Sequence, residues 1–202
     1  MCSSDLKSLA RRSAQTALHQ ITHAMLRWMA PFLSFTAEEA WKEFGSSESI
    51  FLETYSQLPE PDRSLLAKWE LIQDIRDGLN KGIEAERKEG RIGSPLQANV
   101  EMTAGPEEVM LLQSLAEDLK YVFIVSSVTL HTDLSSVNPE DAETAFNLGS
   151  GELTFKVKAS TSPKCERCWH YVNDVGTDPA HPTICGRCIS NLCGAGESRQ
   201  FA

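Results

Sequence analysis

Cysteine carries the sharpest chemical signal in this 202-residue chain. Cys165-Glu166-Arg167-Cys168 and Cys185-Gly186-Arg187-Cys188 form two C-x-x-C pairs separated by sixteen residues, Trp169 to Ile184. Two thiolates three positions apart on a tight turn reach one ion at about 2.3 Å each, and a second such knuckle completes a tetrahedron. Four thiolates leave no open coordination position, so the expected site is structural, holding one zinc ion; iron is the alternative ion. Arg167 and Arg187, inside the knuckles, are placed to offset the charge of about −2 on a four-thiolate zinc centre. Gly186 is expected to ease the second turn. Ordinary buried or disulfide-bonded cysteines fit this paired spacing poorly, and no thioredoxin-like context surrounds either pair. Cys193 lies off the pattern and reads as a free thiol, and Cys2 is terminal.

Histidine adds no second centre. His170 and His181 are redundant once four cysteines satisfy the ion. His19 and His23 sit four apart on a predicted helix, but Gln20 stands where a zinc-hydrolase motif needs its glutamate, so a solvated or interfacial face is expected. No Gly-rich phosphate loop and no catalytic carboxylate pair can be read, so no catalytic residue is assigned and the chain alone is expected to be inactive.

The elements that must position the cysteines follow from hydropathy. The fold class expected is α+β: a mainly α-helical bundle, a small β-α-β-β connector and a C-terminal four-cysteine zinc module, dividing at 1–95, 96–162 and 163–202. In the first region Leu6, Leu9, Ala10, Ala14, Ala17, Leu18, Ile21, Ala24, Met25 and Trp28 fall mostly three or four apart, predicting one long amphipathic helix stopped by Pro31. Thr36 to Glu39 fits a capping box opening a short helix that Gly45 ends. A loop containing Pro59 and Pro61 leads to a second long helix, Ser64 to Glu89, with the stripe Leu65, Leu66, Trp69, Ile72, Ile75, Leu79 and Ile83 and Gly90 as its C-terminal cap. Lys81, Glu84, Glu86, Arg87, Lys88 and Glu89 read as an exposed charged face.

The connector is predicted to hold a strand at Ala98–Thr103, a helix at Glu107–Leu119, a buried strand at Tyr121–His131, a polar loop over 132–150 and a half-exposed strand at Leu153–Lys158. The last region has too few large apolar residues for a core, so metal must fold it.

Charge narrows the partners. The net charge of −9 is unevenly spread: residues 96–162 hold 3 basic against 10 acidic residues, whereas 163–202 hold 4 of each. The middle should repel nucleic acid, and the overall balance excludes non-specific DNA binding but not a local RNA contact. The longest apolar run, Tyr121–Val125, is far too short for a membrane span, and the N-terminus lacks the pattern of a signal peptide, so the cytoplasm is the expected compartment.

Three stretches carry a family resemblance. Cys165-Glu166-Arg167-Cys168-Trp169-His170-Tyr171, with Ile184-Cys185-Gly186-Arg187-Cys188 and the ending Gly196-Glu197-Ser198-Arg199-Gln200-Phe201-Ala202, resembles the C-terminal zinc module of bacterial isoleucyl-tRNA synthetases. Ala30-Pro31-Phe32-Leu33-Ser34-Phe35-Thr36-Ala37-Glu38-Glu39-Ala40-Trp41 and Lys88-Glu89-Gly90-Arg91-Ile92-Gly93-Ser94-Pro95-Leu96 are similar to parts of the helical anticodon-binding domain of the same enzymes. The landmarks keep the family's order along nearly the whole chain. The resemblance implies an isoleucine–tRNA ligase of the class I aminoacyl-tRNA synthetases, acting in protein biosynthesis, with this chain as a C-terminal fragment that grips the anticodon arm of tRNA. ATP would be used only by the full-length enzyme. The HIGH and KMSKS signatures and the editing domain are absent from this sequence, so the catalytic domain of the same polypeptide becomes an expected partner, with no membrane involved.

On that reading Lys164, Arg167, Arg187 and Arg199 are the expected RNA-facing cations, and Trp169 the expected stacking ring, with Tyr171 and Phe201 as further rings. Arg87, Lys88 and Arg91 are a secondary basic group. Two other readings compete. Formamidopyrimidine-DNA glycosylases carry a similar zinc finger, but the N-terminal catalytic proline or glutamate and the helix–two-turns–helix they need are not seen here. A freestanding zinc interaction module is the third reading.

Overall fold

The computed structural model describes residues 9–45, 48–132, 144–148 and 151–196. The expectations for Met1–Ser4, for the first residues of the leading helix and for Arg199 and Phe201 lie outside the described residues. The chain divides into two compact units at the 61/62 junction.

The first unit is helical. Helix α1 spans Leu9–Met29 and α2 spans Ser34–Glu43, followed by a 3-10 turn at Ile50–Leu52. Leu26, Ala30, Ala37, Trp41 and Ile50 make its small core. His23 and Arg27 border that core. The His23 ring lies 4.6 Å from the Trp41 ring and stacks 5.4 Å from His19, the interfacial reading expected of this pair. Arg27 ties the following segment to α1, donating to Glu53 and to Ser56 at 2.5 Å each.

The capping box expected at Thr36 does not form. Leu33 N–H already donates to Met29 and Ala37 N–H to Leu33, both at 2.8 Å, and the Ser34 hydroxyl donates to Ala30. Helical bonding therefore starts before Thr36, which falls inside α2. Glu38 instead accepts from Ile50 N–H and the Ser49 hydroxyl, each at 3.0 Å, and these bonds hold its carboxyl below the usual range.

The second unit opens with α3, Arg63–Lys88, one residue earlier than expected because Asp62 caps it. The Asp62 carboxylate accepts from the Ser64 hydroxyl and from the N–H groups of Ser64 and Leu65, which lowers its pKa. At the other end Gly90 N–H donates to Arg87 and Arg91 N–H to Glu86, the paired bonds of a Schellman turn, with Gly90 at φ +74°. That turn swings Arg91 back onto Glu86 in a two-pronged ion pair. Glu86 is accordingly buried, not on the exposed charged face expected of residues 81–89. A Cβ at position 90 would meet nothing within 4 Å, so the cost of Gly90→Ala is purely conformational. It should be about 1–2 kcal/mol, with Gly90→Asn milder. Urea unfolding would read it, and an unchanged midpoint would disprove the left-handed cap.

The sheet has four strands: β1 (Ala98–Thr103), β2 (Ser127–His131), β3 (Thr144–Leu148) and β4 (Gly151–Ala159), in the order β2-β1-β4-β3. β1 and β2 are parallel, and β4 runs antiparallel to both its neighbours. The parallel pair needs a crossover, which α4 (Pro106–Gln113) and the short α5 (Leu119–Phe123) supply.

Three expectations fail here. The helix predicted at Glu107–Leu119 ends at Gln113, and a 3-10 turn at Ala116–Asp118 leads into α5. The predicted strand from Tyr121 begins only at Ser127, because Tyr121–Phe123 completes α5 and Ile124 then turns left-handed at φ 58°. The polar stretch expected to be loop contains β3, which pairs with β4 through Thr144↔Phe155 to Leu148↔Gly151.

One sheet face is apolar. Val100 lies opposite Val157 and Met102 opposite Phe155, and all four join a core with Ile72, Ile75, Leu79 and Ile83 of α3 and with Leu112 and Phe123 of the crossover. The other face carries the Lys158–Glu101 ion pair at 2.8 Å, the in/out alternation of a half-solvated sheet. α3, grouped by sequence with the helices before it, thus shares its core with the sheet. Among the described residues no helix is long and apolar enough to cross a membrane.

Candidate metal centre

The segment after β4 folds back on itself through a bridge between Lys164 and Tyr171. Cys165 N–H donates to His170 and Trp169 N–H to Cys165, both at 2.9 Å, which closes the first knuckle. The second knuckle is built differently. Cys185 is the N-cap residue of α6 (Gly186–Cys193), which places Cys188 in the first helical turn. Gly186 belongs here for proximity and not for a positive φ. Its N–H donates to the Asp174 carboxylate at 2.9 Å, and a Cβ would lie 2.8 Å from that oxygen.

The four sulfurs converge to within 4.8 Å of one another. Cys165 and Cys188 are 3.8 Å apart and Cys168 and Cys185 3.7 Å apart. A tetrahedron with bonds of about 2.3 Å has edges of about 3.8 Å, so the spacing suits zinc-sized tetrahedral coordination. Cys165, Cys185 and Cys188 are buried, and Val172, Val175 and Ile184 pack around the cluster.

Polar neighbours compensate the sulfurs. The Arg167 guanidinium lies 3.6 Å from Cys188 Sγ, and Cys185 N–H donates to Cys165 Sγ at 3.3 Å. Burial raises the Cys168 thiol, but hydrogen bonds from His170 and Arg187 outweigh it and bring the group down to about 5. Burial pushes Cys185 up to about 11 and Cys188 higher still. A metal ion bound here must displace the protons that burial favours on Cys185 and Cys188.

His170 Nδ1 lies 3.2 Å from the Cys168 carbonyl, and His181 pairs with the exposed Cys193 at 3.6 Å. Cys193 stands outside the four-sulfur cluster, as its spacing predicts.

The sequence-predicted RNA residues separate into two groups. Lys164 and Trp169 lie together on the surface, with the ammonium 5.6 Å from the ring centroid and the indole 58% exposed. Trp169 takes φ 65°, uncommon for so bulky a side chain, and its ring N–H donates to Glu166. Arg167 and Arg187 turn inward. Arg187 hydrogen-bonds Cys168 and stacks 4.9 Å over Tyr121. Tyr121, Ser126 and Asp174 support the site but have no local sequence signal, because their partners are 12 to 66 residues away along the chain.

Residues 2–102 match the family described as the anticodon-binding domain of tRNA ligase. The chain belongs to that anticodon-binding family. The match ends inside β1, so it takes in α3 as well as α1 and α2. Residues 162–191, which hold both knuckles, match a zinc finger found in FPG and IleRS. That description alone fits either a glycosylase or a ligase. The relatives that align across helices, sheet and knuckles together are ligases. The chain is 51% identical to the isoleucine–tRNA ligase of Cupriavidus pinatubonensis over 201 residues, covering 96% of this chain and 19% of that protein. It is 50% identical to isoleucine–tRNA ligase 1 of Burkholderia mallei over 198 residues, covering 96% and 20%. It is 48% identical to the ligase of Ralstonia pickettii over 201 residues, with the same coverage. The anticodon-binding chain thus spans about one fifth of the length of the curated relatives it matches.

Proposed function

We propose that this chain grips the anticodon arm of isoleucine tRNA as the C-terminal part of an isoleucine–tRNA ligase. Its own residues perform no bond-making step. The observation that carries this reading is the alignment with ligases across the helices, the sheet and the four-cysteine site. One zinc ion, held by Cys165, Cys168, Cys185 and Cys188, braces the two knuckles. Lys164 and Trp169 then form a cation-and-ring platform for an unstacked loop base. Arg167 and Arg187 neutralise the thiolates from within, and Arg199 adds a further cation.

ATP and the amino-acid pocket belong to the remainder of the ligase, working in the cytoplasm. On this reading α1 supplies the face that meets that remainder. Leu18, Ile21, Met25 and Trp28 follow the three-and-four spacing of a helix-packing seam, yet each is 47–53% exposed. The preceding four fifths of the Cupriavidus pinatubonensis ligase, produced separately, should form a one-to-one complex with this chain in sedimentation, and Ile21→Asp should abolish it.

Fluorescence anisotropy at fixed salt tests the main reading. The chain should prefer isoleucine tRNA to duplex DNA carrying an abasic site, and equal affinities would sink it. Trp169→Ala should weaken tRNA binding by about 1–3 kcal/mol, the range for losing one base–aromatic stack. Zinc content should be unaffected, since the indole is not a ligand. Unaltered affinity would return the ring to a packing role.

A further inference from the structure

Zinc closes the two knuckles on each other, but something else must fix the module to the sheet. The structure places one residue where both knuckles meet the neighbouring fold. His170, from the first knuckle, meets the Tyr121 ring edge-on with centroids 5.4 Å apart. Arg187, from the second knuckle, lies over the same ring at 4.9 Å. The His170 ring also sits 3.2 Å from the Cys168 carbonyl through Nδ1, and Arg187 bonds the Cys168 sulfur. Tyr121 is on α5, in the crossover that packs on the sheet, and Lys120 beside it adds a cation 5.4 Å from the ring.

A second tie lies alongside. Tyr171 N–H donates to the Ser126 hydroxyl at 2.7 Å, and that hydroxyl donates onward to the Leu96 carbonyl at 2.5 Å. Ser126 is buried just before β2, so the bridge runs from the first knuckle to the segment joining α3 and β1. Without metal the two knuckles have no covalent reason to present His170 and Arg187 together.

We propose that Tyr121 is a positioning residue. It reads knuckle closure through His170 and Arg187 and thereby fixes the Lys164–Trp169 platform relative to the sheet and α3. The proposal rests on the tRNA-binding reading. An RNA that spans the zinc module and α3 gains affinity when the two are held in one orientation before it arrives, because the ordering cost has already been met. Tyr121 touches neither metal nor RNA on this account. Its loss must therefore show in tRNA affinity and not in zinc loading.

The experiment compares Tyr121→Leu, Tyr121→Phe, Ser126→Ala and Cys165→Ser in the full chain. The readouts are zinc per chain, the visible spectrum of the cobalt-substituted site, hydrogen exchange at the Tyr171 amide and tRNA affinity. Tyr121→Leu should keep one metal and an unaltered cobalt spectrum, exchange faster at Tyr171 and bind tRNA roughly tenfold more weakly, the scale of one cation–ring contact and lost preorganisation. Tyr121→Phe keeps the ring and should bind like the unmodified chain. Ser126→Ala should weaken tRNA several-fold with zinc retained, and it carries the test if Tyr121→Leu folds poorly. Wild-type affinity in both Tyr121→Leu and Ser126→Ala, alongside lost binding in Cys165→Ser, overturns the positioning role and leaves the tRNA reading standing. Equal loss in Tyr121→Phe and Tyr121→Leu overturns the role of the ring. An unmodified chain with no tRNA preference overturns the reading beneath both.

Discussion

Replacing Cys165 with serine should empty the metal site, unfold residues 163–196 and reduce tRNA affinity by roughly 10- to 100-fold. Cys165 is fully buried, contributes one of the four converging sulfurs and accepts the Cys185 N–H. The variant removes a ligand and strands a buried donor at once. Structural zinc supplies on the order of 10–16 kcal/mol to small modules of this kind. Among the described residues the module has no compensating core, since only Val172, Val175 and Ile184 pack around the cysteines. The damage should stay local. The main core of the second unit runs from Ile72 to Val157 and contains no residue of the zinc module. Circular dichroism should therefore lose little helix while Trp169 fluorescence and metal content collapse. Chelating the metal from the unmodified chain should give the same state. A serine variant that retains one zinc and full tRNA affinity would remove the basis for the structural site.

How far the sequence reached depended on the range of the interactions concerned. The cysteine pairs are legible because each C-x-x-C is a local turn and its repeat sixteen residues on announces the other half of the site, and the structure brings all four sulfurs together. The ends of α3 are legible for the same reason: the Gly90 turn is written within six residues of chain, Glu86 to Arg91. Reading failed where tertiary contacts overrode local preference. Tyr121 to Phe123 has the aromatic and β-branched content of a strand, yet it finishes a helix because Phe123 must reach the core beneath the sheet. β3 is polar enough to pass for a loop and exists because β4 offers it an open edge. Arg187 shows both outcomes together. Its place inside a knuckle predicts a role beside the thiolates, and its guanidinium lies beside Cys168, but nothing nearby in sequence announces Tyr121, 66 positions earlier and beneath that guanidinium.

The place of α3 yields the second large effect. Leu79 is fully buried among sheet residues, and truncating such a leucine to alanine costs about 2–5 kcal/mol. Against a typical domain stability of about 5–15 kcal/mol that is a substantial fraction. The side chain lies in the core shared by α3, β1 and β4, so the loss should appear in the unit beginning at Asp62. Trp69 reports on that unit and Trp41, buried in the other core, reports on the helices before it. With one tryptophan retained at a time, Leu79→Ala should lower the urea midpoint seen by Trp69 and leave that seen by Trp41 in place. Leu26→Ala, in the helical core, should do the reverse. A boundary at residues 95/96, as composition suggests, makes the opposite prediction: Leu79→Ala would be felt at Trp41. The family match, which runs unbroken from residue 2 to 102, does not choose between these, because a recognised sequence unit need not be a folding unit. Packing does choose, since cooperativity follows shared buried surface, and α3 shares its surface with the strands.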